Sequence, residues 1–148
     1  MVITYDDVAD AFLSKITEFE FIKLPEEDLY RTLDGYMKRA ISSFKKVCKY
    51  DLTEYDDIVR EFTVDFQEED TDEILEILSE GMLVQWLKPY VYKQEILESV
   101  LNTKDFTTYS PANLLSQVGN AYAKAQKDYT QLIREYSYNH GELTELHL

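Results

Sequence analysis

The sequence predicts an all-α fold: a small helical bundle with two long helices and room for one short extended segment or hairpin near residues 60–67. Three observations predict it. Apolar residues recur at three- and four-residue spacing through most of the chain, only 4 Gly and 3 Pro interrupt 148 residues, and several segments open on helix-capping residues. With 45% apolar and 30% charged residues the composition is that of a globular chain. Its length sustains one core without disulfides or metal.

Thr4 and Asp7 form a capping arrangement ahead of Val8, Ala11, Phe12 and Ile16, which places a first helix at about residues 5–16. Glu18 to Lys23 reads as a connector. A second helix starts with Pro25 in its first turn, where Glu26, Glu27 and Asp28 face the positive end of the helix dipole, and ends near Lys45, Lys46 and Lys49. Its stripe is Leu29, Leu33, Tyr36, Ala40, Phe44 and Val47, widened by Tyr30, Met37, Ile41 and Cys48. The helical period then lapses. Glu61 to Phe66 alternates, as an extended segment or half of a hairpin would.

Asp70 or Thr71 caps a third helix carrying Ile74, Leu75, Leu78, Met82, Leu83, Trp86 and Leu87, with Gly81 inside it as a point of close packing. Pro89 ends or kinks it before the pattern resumes over Val91 to Leu101. Ser110 and Pro111 are a cap and first-turn proline for the last helix. There Leu115, Val118, Tyr122, Ala125, Tyr129, Leu132 and Tyr136 step by three and four until Asn139 to Gly141. The organisation expected is one helical domain over residues 1–141 and a short tail over 142–148 whose Leu143, Leu146 and Leu148 suit docking.

Charge is unevenly placed. Of the net −14, residues 51–80 hold −12, with thirteen acids against Arg60 alone. Such a field repels nucleic-acid phosphate and anionic lipid. It reads either as a solvated acidic surface or as a functional one. The opening residues lack a basic region and the longest apolar run, Gly81 to Leu87, is far short of a span, so a cytosolic chain that crosses no membrane is expected.

Catalytic and metal chemistry find little footing. Cys48 is alone, and the two His stand at positions 140 and 147, which leaves no Cys/His zinc framework. The window Asp65 to Glu76 spaces acids like a calcium loop but has Asp70 where the turn glycine belongs. Cys48, although near Lys46 and Lys49, lies on the apolar side of its helix, as a structural thiol does. No glycine-rich phosphate cradle is present, and neither an enzyme nor a cofactor is expected. Interaction residues are easier to find. Twelve Tyr are more than a core of this size requires and read either as the rim of that core or as interface residues. Arg31, Lys38, Lys45 and Lys49 form a basic stripe that reads either as a solubilising, dipole-complementing surface or as one half of a subunit contact with the acidic segment.

Ile3 to Val8, Cys48 to Leu52, Glu73 to Leu78 running into Met82 to Pro89, Asp105 to Leu115, and Arg134 to Tyr138 together resemble the head-tail connector proteins of tailed bacteriophages, also called adaptor, head-completion or neck proteins. The likeness is spread over most of the chain. It implies a helical structural protein made in the host cytoplasm and built into the virion neck. There it would form a homo-oligomeric ring, commonly of twelve copies, between the portal protein and the next neck or tail-completion protein. DNA passes through such a ring without specific binding. On that expectation Arg31, Lys38, Lys45, Lys49, Tyr136, Tyr138, Leu143, Leu146 and Leu148 make subunit or portal contacts, and Glu68, Glu69 and Asp70 face the channel. The competing expectation is an acidic helical binding module, such as a DNA mimic that inhibits a nucleic-acid-binding protein.

Overall fold

In the computed structural model, which describes residues 1–17, 28–92 and 111–140, local signals at Thr4 set the first helix. The Thr4 hydroxyl accepts from the Asp7 amide at 3.1 Å and the Asp7 carboxylate accepts from the Thr4 amide at 3.0 Å, a reciprocal cap that starts α1 (Tyr5–Lys15). One face of α1, Tyr5, Val8, Ala9 and Phe12, is buried. The second helix, α2, spans Leu29–Phe44 and buries Leu33, Met37, Ala40, Ile41 and Phe44. Asp28 precedes it at φ 56°, in the left-handed region, with no side-chain cap. Pro25 and the connector at Glu18 to Lys23 lie outside the described residues.

A two-stranded antiparallel hairpin follows, β1 (Tyr55–Asp56) and β2 (Glu61–Phe62), with Tyr55 opposite Phe62 and Asp56 opposite Glu61. The first residues of the chain run beside β2. The Phe62 amide donates to the Ile3 carbonyl at 3.0 Å, the Tyr5 amide to the Arg60 carbonyl at 2.9 Å and the Phe66 amide to the Met1 carbonyl at 3.0 Å. The expected alternation holds: Phe62 and Phe66 are buried while Thr63 and Asp65 are exposed.

The third helix, α3 (Glu68–Tyr92), is the axis of the bundle. Every residue from Ile77 to Val84 is buried, because α1, α2 and the last helix, α4 (Pro111–His140), all pack on it. Helix α3 starts two residues ahead of the expected Asp70 cap and continues through Pro89 to Tyr92. Proline fixes φ near the helical value, so the turn persists without one amide bond. The stepped positions of α4 are all buried or half-buried, and α4 ends at His140. The expected resumption over Val91 to Leu101 continues beyond the described residues after Tyr92, and the Ser110 cap and the 142–148 tail lie outside them too.

Gly81 marks the tightest approach. A Cβ there would stand 2.6 Å from the Ala40 Cβ and 2.8 Å from the Tyr129 ring, and the Tyr129 hydroxyl donates to the Ala40 carbonyl at 2.5 Å. The result is a mostly helical bundle, four helices among the described residues, with one small hairpin on its side. No helix among the described residues is long and apolar enough to cross a membrane.

Candidate functional site

The acidic segment is the first candidate, and folding has partnered most of it. Asp57 takes Lys38 at 2.8 Å and the Tyr5 hydroxyl at 2.8 Å. Asp70 takes Lys49 at 2.7 Å and the Tyr50 hydroxyl at 2.5 Å. Glu76 and Glu80 share Lys15 at 2.6 and 3.1 Å, Glu73 meets His140 at 2.7 Å, and Asp65 meets the amine of Met1. Asp51 accepts from the Thr53 amide and Asp56 from the Ile58 amide, both as turn caps. The Lys49 and Tyr50 donors hold the Asp70 carboxyl below its ordinary range, and Lys38 and Tyr5 do the same for Asp57. Burial would lower the Lys15 ammonium, but the Glu76 and Glu80 bonds outweigh it and raise it. Glu54, Glu61, Glu68, Glu69 and Asp72 remain without an ion pair among the described residues.

The expected channel residues therefore separate. Glu68 and Glu69 are exposed in the first turn of α3, where acids also complement the helix dipole. Asp70, next to them, is 5% exposed and bonded within the chain, so it belongs to the framework and not to an acidic wall. The basic stripe separates likewise. Lys38 and Lys49 meet the acidic segment of their own chain, each also lying over a tyrosine ring, Tyr55 at 5.1 Å and Tyr50 at 5.3 Å. Arg31 and Lys45 stay exposed and unpaired among the described residues.

Tyr136 is core. It is fully buried, its ring meets Phe44 edge-on at 4.9 Å and stacks on His140 at 4.2 Å, and its hydroxyl accepts from the Lys49 amide at 3.1 Å. Helical spacing alone cannot separate a core tyrosine from an interface tyrosine, because both occupy the same stripe. Tyr138, two residues on, is 72% exposed. Leu143, Leu146 and Leu148 lie outside the described residues. Burial pushes the Cys48 thiol up, away from activation, and its sulfur sits 3.6 Å from the Tyr136 hydroxyl. The calcium-loop window is helical from Glu68 onward, and no group of metal-ligating side chains occurs among the described residues.

Two surfaces escaped the sequence reading. At the hairpin tip Ile58 is 92% and Val59 58% exposed. The turn behind them is clamped by Arg60, at φ 55°, whose guanidinium forks onto Asp34 at 2.9 and 2.7 Å, reaches Asp6 at 2.7 Å, and lies between the rings of Tyr5 and Tyr30. A single base among thirteen acids was the available signal. The second surface is a groove of about 450 Å³ between α3 and α4, with Val84, Tyr122 and Ile133 among its walls, Lys88 and Arg134 at its charged edge, and Ser43 of α2 contributing. Its lining comes from three separate stretches of sequence, so no motif announces it. No protein-family model, curated protein or solved structure matches the chain.

Proposed function

We propose that this protein is a structural, non-enzymatic component of a tailed-phage neck, assembling without a cofactor into a ring between portal and tail that extends the DNA channel. The resemblance of the sequence to head-tail connectors supports the phage setting, and the helical bundle is the architecture that resemblance implies. One observation carries the self-assembling part. Glu54, Glu61, Glu68, Glu69 and Asp72, acids without an ion pair among the described residues, concentrate on the hairpin and the start of α3, while Lys88, Lys127 and Arg134, bases without one, lie at the far end of α3 and on α4, as Arg31 does on α2 and Lys45 at its C-terminal end. Opposite charges on different faces favour head-to-tail contact between copies, and a head-to-tail contact that closes on itself gives a ring.

A phosphate-mimicking inhibitor requires an open acidic array, and the pairing of Asp57, Asp65, Asp70, Glu73, Glu76 and Glu80 counts against it. Mixing the purified protein with the portal encoded in the same genome and imaging the particles tests the proposal. A coaxial ring, of about twelve copies in this family, is expected. A globular dimer that never forms a ring, with portal or without, overturns it.

A further inference from the structure

We propose that the Ile58–Val59 tip of one copy docks in the α3–α4 groove of the next copy, a contact that rests on the ring reading above and specifies one of its interfaces. The tip is an unusual surface. Two branched aliphatic side chains stand side by side in water on a turn held by the Asp56 cap, at 2.8 Å from the Ile58 amide, and by the Arg60 clamp. A turn already fixed loses little conformational freedom on binding, so apolar contact made there is retained as affinity. Apolar pairs exposed on a rigid projection mark interaction sites more often than isolated exposed residues do.

Charge selects the occupant. Glu54, Asp56, Asp57 and Glu61 flank the tip in sequence, and the bases beside it are already engaged, Arg60 by Asp34 and Asp6 and Lys38 by Asp57. The groove presents Lys88 and Arg134 and has no acid among its lining residues, while Val84, Tyr122 and Ile133 supply apolar wall. An acid-ringed apolar projection thus meets a cation-edged apolar cleft, both on the same chain. Neither surface can satisfy the other within one molecule. The hairpin packs on the side of α2 that carries Asp34 and Lys38, whereas Ser43, which lines the groove, lies nine residues beyond Asp34, about two and a half turns, and so on the opposite side. A tip on one side and its complement on the other generate a directional, repeating contact and not a closed pair.

Oxidative cross-linking of the full chain tests the contact. The Ile58→Cys and Gln126→Cys variants, mixed, should give a disulfide-linked heterodimer, and the double variant a ladder of dimers, trimers and higher species; wild type and each single variant alone should give neither. An Ile58→Asp, Val59→Asp variant should lose at least about tenfold in self-association measured by sedimentation, with its melting temperature unchanged because both side chains are exposed. Ile58→Cys cross-linking to itself, or no cross-link up to the solubility limit, overturns the contact. The two proposals fail separately. Portal-bound rings whose copies do not cross-link overturn this contact alone, and cross-linked assemblies that ignore the portal overturn the neck assignment alone.

Discussion

Ala40, Gly81 and Tyr129 show how three helices are brought together by the absence of one side chain. The Ala40 Cβ is attached rigidly to its backbone and the Tyr129 ring is held by its 2.5 Å bond to the Ala40 carbonyl, so neither neighbour yields to a methyl group. Burial pushes the Tyr129 hydroxyl up to about 12, which keeps it a donor at any ordinary pH. Gly81→Ala should therefore destabilise by about 1–3 kcal/mol despite the better helix propensity of alanine, read from urea melts. Asp70 gives a pH-dependent counterpart. Its pKa in the folded state is depressed by Lys49 and Tyr50, so its stabilisation is present at neutral pH and is lost as pH falls through the carboxylate range, below about 4. Asp70→Asn should be about 1–3 kcal/mol less stable at pH 7 and should lose less further stability than wild type between pH 5 and 3. Gly81 was legible because a glycine among buried positions has few other uses. Asp70 was not, because a run of acids reveals local charge density and nothing of which members find a cation far off in the sequence, as Asp70 finds Lys49.

At the level of elements, helices declared themselves and the hairpin only half did. Reciprocal capping by Thr4 and Asp7 and the three-four stepping of α4 are local signals, and both placed their helices within a residue or so. Alternation exposed Glu61 to Phe66 as extended, but its partners, Tyr55–Asp56 and the Met1 to Thr4 segment, come from long-range pairing that no local period encodes. Helix α3 was legible from its apolar spacing over Ile74 to Leu87, although three helices pack on it and from Ile77 to Val84 it buries every side and loses the stripe that marks a surface helix. What holds the hairpin to the bundle is Arg60. Arg60→Ala strands the half-buried Asp34 carboxylate and should cost about 1–3 kcal/mol. Hydrogen exchange should quicken at the Tyr5 and Phe62 amides before it does in α3. Arg60→Gly, which tolerates φ 55° without strain, should lose about 1 kcal/mol less than Arg60→Ala.

Across the whole molecule, folding turns a concentrated −12 into a set of local pairs and leaves a small group of open acids at the start of α3. Under the neck-ring proposal, repeating that group around a ring produces a negative wall from which passing DNA is repelled, whereas a positive wall would retain it. Glu68 and Glu69 are suited to test this because they are exposed and unpaired among the described residues, unlike Asp70. Their reversal removes favourable dipole interactions worth about 0.3–1 kcal/mol each, so the Glu68→Lys, Glu69→Lys protein should stay folded with a modestly lower melting temperature. Particles completed with it should then eject DNA more slowly than wild type, in a way that added salt partly restores as it screens the reversed charge. Weakened ring formation by the same variant would instead assign these acids to the contact between subunits. Normal assembly with normal ejection would leave them as a solvating surface and remove the channel from their role.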